Sequence, residues 1–356
     1  MIKLLYLLIV LFVAELSTAQ NSTVKIDMNA SNWDLPEEAV LERFDNKETL
    51  LLNGKAIVKN QNFTNGTIEV DIYANSKRSF AGIIFRKQDQ TMEEVYMRLH
   101  KSSQADAVQY TPIFNNETNW QLYIEHQAMV SFKDSGWNTL RIEVANSSAE
   151  VFVNDEKMFT VDHLKTNHSR GSIGLTALFT NRFSNFRVTN SDNTVDSQTE
   201  DNSVMDPNII SEWQISQAKP FNEEEFGINN FSSINYMTAT TENSGLLPIS
   251  KYLEKPSSGN FEENREDYTI AYTTIHADKR ETKLFSFDYS DRIIVYLNGE
   301  PIFKGNNAFR AKGIQYMGHM DINTNKLYLP LNKGKNEIHC IVIDKANGWG
   351  IMAKLE

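Results

Sequence analysis

Gly66–Ala74 reads GTIEVDIYA, in which Ile68, Val70 and Ile72 alternate with Glu69, Asp71 and Tyr73. A period of two puts the aliphatic set on one face and the polar set on the other, the pattern of a half-buried strand. Similar short runs follow in SFAGIIFR, EEVYMRLH, NTLRIEVA, AEVFVND, GSIGLTAL and FSNFRVT, separated by turn-rich segments such as KQDQT and KTNHSRG. The second half repeats the style in DYTIAYTTIHA, TKLFSFDYS, RIIVYLNG, NKLYLPL and NEIHCIVID. Asn298-Gly299 between two such runs predicts a tight hairpin, because both central residues of a type I′ turn need positive φ. Asn154-Asp155 in VFVNDEKMF has the same shape. Long helical periodicity is absent, and only short helical turns are expected, around Pro36-Glu37-Glu38 and in NEEEF near Glu224. The expected fold is all-β, with two β-sandwich (jelly-roll) domains joined by a polar linker.

The linker is the acidic, apolar-poor stretch from Val188 to Asn208. It sets a first sandwich at 20–189, a linker at 190–208 and a second sandwich at 209–356. A length of 356 residues fits two domains, and 40% hydrophobic residues suffice for two cores. The net charge is −11, with no basic stripe, which argues against nucleic acid and anionic membrane surfaces as partners. Met1–Ala19 has a lysine at position 3, an apolar run from Leu4 to Ala14 and small residues at Ser17 and Ala19. That is the pattern of a signal peptide cleaved before Gln20, and it predicts a secreted protein, extracellular or periplasmic, with no integral membrane span after leader removal. Cys340 is the single cysteine and lies in the apolar run EIHCIVI, so it reads as a buried thiol. Without an internal disulfide, each half must be held by its own core.

Once these strands are in order, Val40–Thr189 resembles the concanavalin A-like and laminin-G jelly rolls, in particular the branch with 3-keto-disaccharide hydrolase-type domains. The resemblance is carried by GTIEVDIYA, AGIIFR, SGWNTLRIEV, the VFVND hairpin, RGSIGL and FSNFRV, with YMRLH, DAVQYTP and NWQLY as a signature. The second half resembles the galactose-binding-like jelly roll that accompanies β-galactosidase-type domains, through TIAYTTIHA, RIIVYLNGEPIF, LPLNKGKNEIHCIV and WGIMAKLE. Both resemblances imply modules found near carbohydrates.

Sugar recognition needs aromatic faces for C–H faces, and planar amides, carboxylates or Arg forks for paired hydroxyls. The stretch from Leu99 to Tyr123 supplies both. In the strand before it, Met97 and Leu99 should face the core and Tyr96, Arg98 and His100 the open side. The expected ligand groove is Arg86, Tyr96, Arg98, His100, Asp106, Gln109, Tyr110, Trp120, Gln121 and Tyr123. A purely structural role predicts instead that Gln109, Tyr110 and Trp120 are buried. In the second half the rim candidates are Arg310, Gln315, Tyr316, His319 and Trp349, although Trp349 between two glycines reads first as a core aromatic.

For catalysis, Glu69 and Asp71 share a strand face but read as solvated charges, and Glu93 and Glu94 read as strand-start or loop charges. Asp106 is the single catalytic candidate, and no acid pair of the kind a glycosidase uses is assembled. No HExxH, GxSxG, Walker or GxGxxG motif is present, and the histidines lack metal-ligand spacing. No cofactor is expected, although a structural calcium ion would be compatible with the Asp/Asn-rich loops. The expected function is a secreted carbohydrate-binding protein with a carbohydrate or glycoside ligand, accessory to polysaccharide recognition or degradation. The alternatives are a glycoside-acting hydrolase of the 3-keto-disaccharide type and a structural protein-interaction module.

Overall fold

The computed structural model describes residues 22–75, 77–191, 204–224, 231–256 and 265–356. Met1–Ala19, most of the linker and the end of NEEEF lie outside the described residues. Among those described there is no α-helix, only three single 3-10 turns and strands. The chain is all-β, built from β-sandwich sheets.

The first half closes on itself through two long strands. Ser172–Asn190 runs for 19 residues and breaks register between Ala177 and Asn181. Its first part pairs with Phe80–Gln88 and its second with Gly66–Ala74. Lys47–Val58 follows it along both parts. The bend creates two layers. A front layer holds Phe80–Gln88, Thr91–Arg98 and Val108–Phe114, and a back layer holds Gly66–Ala74, Gly136–Ala145, Ser148–Val153 and Glu156–Val161. Ile68, Val70 and Ile72 of the back layer and Ala81, Ile83, Phe85, Val95 and Met97 of the front share one core. Period two on each strand thus produces the sandwich.

GTIEVDIYA is a strand from end to end, and so are DYTIAYTTIHA and NKLYLPL. GSIGLTAL and FSNFRVT, which read as two strands, are one. Asn298-Gly299 and Asn154-Asp155 both adopt positive φ, as their hairpins require. Around Pro36 the chain makes a turn closed by Ala39 N donating to Pro36 O at 3.0 Å, and no helical element forms there.

The second half packs a sheet of seven strands against one of four, around a second core that contains Trp213, Phe285, Phe287, Cys340 and Trp349. Burial pushes the Cys340 thiol far above its ordinary range. The two halves meet along a seam built by Asn115–Tyr123. Asn119 Oδ1 accepts from Ser250 Oγ at 2.7 Å, and Gln121 Nε2 donates to Met317 O at 2.7 Å. Tyr123 Oη donates to Glu242 Oε1 at 2.6 Å, and Lys165 pairs with the other oxygen of Glu242 at 2.9 Å. Leu122 lies against Gly348, where an added Cβ would come within 2.8 Å of its Cγ. Only glycine fits there, both for this approach and for a φ of +142°.

Candidate functional site on the outer face of the front layer

Register fixes which side chains share the outer face. Across neighbouring strands, Lys55, Thr176, Gly82, Tyr96 and Gln109 stand in one row. The next row is Ile57, Gly174, Ile84, Glu94 and Thr111. Gly82 and Gly174 are held to glycine by the neighbouring strands, since an added Cβ would come within 2.1 Å of Val95 O at the first and 2.2 Å of Ala56 O at the second. Ile84, Met92 and Ile113, with Ile57 beside them, make a small apolar patch below Glu94, separate from the main core.

Glu94 is half-buried on this face and keeps partial contact with solvent. The resulting desolvation pushes it up to about 7, against the opposing pull of Lys55, a hydrogen bond with Thr176 and the more distant Arg98. Lys55 is held below its ordinary value by the same desolvation, which outweighs the attraction of Glu94.

Two residues along the strand begins a network of sequence-expected residues. Arg98 donates from Nη2 to Tyr96 Oη at 2.7 Å and to Gln109 Oε1, and from Nη1 to Asp106 O at 2.7 Å. Its guanidinium lies 4.9 Å from the Tyr96 ring centre and 5.4 Å from that of Trp120. Tyr96 Oη also donates to Gln109 Oε1 at 3.0 Å, and Gln109 Nε2 donates to Trp120 O at 2.8 Å. Burial drives the Tyr96 hydroxyl far above its ordinary range. Asp106 binds Lys101 at 2.5 Å and stands 3.8 Å from Arg98. Burial works against its charge, but these two cations outweigh burial and hold the carboxyl below its usual value. Trp120 meets Phe309 and His319 of the second half edge-on, each at 5.9 Å.

Tyr96, Arg98, Asp106, Gln109, Trp120 and His319 therefore come together, but Tyr96, Arg98 and Gln109 are buried and satisfy one another instead of lining an open groove, because the neighbouring Asp106 and Trp120 segments cover them. Met97 and Leu99 face the core. Several expected groove residues are placed elsewhere. Tyr110 is in the first core, its hydroxyl bonded to Glu93 at 2.6 Å. Gln121 and Tyr123 are buried in the seam. Arg86 has φ +50°, which turns it away from the groove. There it donates to Thr64 O at 2.8 Å and to His168 O at 3.2 Å, pinning loops at the sandwich edge. His100 is half-buried, with Nδ1 3.1 Å from Ser79 O and its ring 5.1 Å from that of Phe80. In the second half, Trp349 is a core residue bonded to Val342 O at 3.2 Å. Arg310 and Gln315 are exposed, and Tyr316 bonds Asn307 Oδ1 at 3.0 Å.

Glu94 is the group that the sequence reading passed over. The signal was present, since alternation that puts Tyr96 and Arg98 outside puts Glu94 outside too. Glu69 and Asp71 lie on the far side of the back layer. Asp71 is taken by Lys47 and Asn185, both at 2.7 Å, and Glu69 by Arg187. Among the described residues no three His, Cys, Asp or Glu side chains gather as a metal site would require, and no helix is long and apolar enough to cross a membrane.

No curated protein matches the chain. Among solved structures, the carbohydrate-binding module CBM66 from Bacillus subtilis is similar at 13% identity and a TM-score of 0.35, over 44% of this chain and 96% of that one. A Bacillus licheniformis β-glucanase is similar at 12% identity and a TM-score of 0.34, over 48% of this chain and 92% of that one. A lichenase from a mouse hindgut metagenome is similar at 10% identity and a TM-score of 0.36, over 48% and 99%. Residues 29–189, the stretch that carries the front and back layers and Glu94, match the family described as the 3-keto-alpha-glucoside-1,2-lyase-like domain.

Proposed function

We propose that the outer face of the front layer takes a carbohydrate and that Glu94 moves a proton on it, with a 3-keto-glucoside as substrate class. The observation that carries this reading is a half-buried carboxyl on the outer face, flanked by Lys55 and Thr176, whose desolvation pushes it up to about 7. A base is most useful when its pKa lies near the working pH. In a 3-keto-glucoside the C3 carbonyl acidifies the hydrogen on C2. Glu94 as carboxylate takes that proton, and the electron pair moves toward the C3 oxygen. The enolate collapses to a C1–C2 double bond as the C1–O bond breaks, and the aglycone leaves with a proton from solvent. Lys55, exposed and beside Glu94, is the cation available to the developing oxyanion. Arg98 is already committed to Tyr96, Gln109 and Asp106. One base suffices for such an elimination. A hydrolase with paired carboxylates is less well supported, because Asp106 is held ionised by Lys101 and Arg98.

Binding without turnover is the second reading, favoured by the half-buried Trp120, which the buried Tyr96–Arg98–Gln109 network holds as a rigid platform. Export fits the leader-like Met1–Ala19, and the second half serves as a galactose-binding-like partner that buttresses the site from Phe309 and His319. The test is turnover of 3-keto-α-glucosides by wild type and Glu94→Gln across pH. The expected result is a rate that rises through about pH 7 and is lost in Glu94→Gln. Wild-type turnover in the Gln variant sinks the catalytic role, and tight glycoside binding with no turnover by either protein selects the platform reading.

A further inference from the structure

The outer face continues beyond Arg98. In the next row Leu178 pairs with Phe80 and Phe80 with Arg98. Leu178 is 56% exposed and Phe179 44% exposed. Phe179 has φ +62°, a left-handed conformation that is strained for a bulky aromatic residue. Asn181 is buried and holds it there, its Nδ2 donating to Phe179 O at 3.0 Å and to Phe80 O at 3.1 Å. The register break between Ala177 and Asn181 thus lifts Phe179 out of the pleat and clamps it. The Phe179 and Phe80 rings are 6.2 Å apart, and Phe80 is 6.2 Å from Tyr96. The Arg78 guanidinium covers both phenylalanines, at 5.2 Å and 5.8 Å. Strain held by a buried amide, at exposed apolar side chains on the same face as Glu94, marks a built surface and not scattered exposure.

We propose that Phe80, Leu178 and Phe179, with Arg78, form the subsite for a planar aromatic aglycone of the glycoside whose sugar lies over Glu94. This rests on the reading of the Glu94 face as the sugar site. Phe and Leu carry no group to meet hydroxyls, so a second sugar would leave its polar rim unsatisfied, whereas an aryl face matches theirs. Arg78 is placed to attract the oxygen that such an aglycone carries away. Glu94 and Arg98 are four residues apart on one strand, about 13 Å, which accommodates a sugar ring and an aryl ring end to end.

The test is calorimetric titration of the full chain with para-nitrophenyl and methyl 3-keto-α-glucosides and with free para-nitrophenol. Wild type is compared with Phe179→Gly, which removes the ring and relieves its φ, and with Leu178→Ser. Wild type is expected to prefer the aryl glucoside. Both variants should lose roughly three- to tenfold in aryl affinity while keeping methyl glucoside affinity. An aryl preference that survives in both variants overturns the subsite. If neither glucoside binds, but nitrophenol binds wild type and not Phe179→Gly, the ledge stands and the sugar reading falls. If nitrophenol also fails to bind wild type, the ledge falls with it.

Discussion

The indole N–H of Trp120 donates to Asn347 Oδ1 at 3.0 Å, joining groups 227 residues apart in the chain. The same Trp120 offers its carbonyl to Gln109, and Gln109 holds Tyr96 and Arg98. A contact in the second half therefore reaches the Glu94 face in three steps.

Asn347 has φ +84°, so Asn347→Gly keeps the backbone and removes the acceptor. We expect a loss of about 1 kcal/mol in urea unfolding. Trp120 emission should shift, and affinity for the glycoside should weaken with it. Unchanged emission would show that this bond does not position Trp120.

Tyr123→Phe leaves Glu242 with Lys165 as its remaining partner across the seam. The expected cost is about 1–3 kcal/mol, the range for removing one member of a buried bond to a charged group. Combined with Glu242→Gln, the effects should be less than additive, and strict additivity would mean that the two do not interact.

Tyr110 separates core from groove. Because its ring is fully buried, Tyr110→Ala should cost about 3–5 kcal/mol. Tyr110→Phe should cost about 1–3 kcal/mol through the loss of the bond to Glu93. A normal melting temperature in the alanine variant would contradict the placement of this side chain.

Glu94 and Glu117 are both raised to about 7, primarily by desolvation. Glu117 lies in the seam, where Lys255 reaches it at 3.3 Å and Asp344 at 2.7 Å. A carboxyl raised on folding takes up a proton in the folded state. Its contribution to stability is therefore full below the ordinary value of 4.5 and is lost as pH climbs through about 7. Stability should fall over that interval, and Glu117→Gln or Glu94→Gln should each flatten the fall. A pH profile unchanged in both variants would disprove the assignment.

A protease site engineered between positions 192 and 203 should give two fragments that co-elute. The seam between Asn115–Tyr123 and the second half supplies direct hydrogen bonds independent of that connection. Fragments that separate on gel filtration in low salt would show the seam to be weaker than its contacts imply.

The fold was legible because alternation is local. GTIEVDIYA, DYTIAYTTIHA and NKLYLPL carry their period in adjacent residues, and their hairpins declare themselves through Asn-Gly and Asn-Asp. The grouping of the side chains was half legible, and their burial was not. Tyr96, Arg98, Gln109 and Trp120 do meet, since alternation and strand pairing bring them to one face. Arg86 escaped because a single positive φ overrides alternation. Gln121 and Tyr123 escaped because their partners, Met317 and Glu242, are more than a hundred residues away. An amide- and aromatic-rich stretch looks the same whether it will meet a sugar or another part of its own chain, since both demand flat faces and paired polar groups.

Leu122 behaves as a plug whose socket, Gly348 and Gly350, belongs to the other half. A polypeptide stopped after Ser191 would keep the whole family-matched stretch, yet present Leu122 and Tyr123 to water with the Lys165 charge beside them. Such a fragment should be sticky and prone to self-association. The family-matched stretch is then shorter than the one that can stand alone, and transplanting the Glu94 face into another protein would require carrying its socket along.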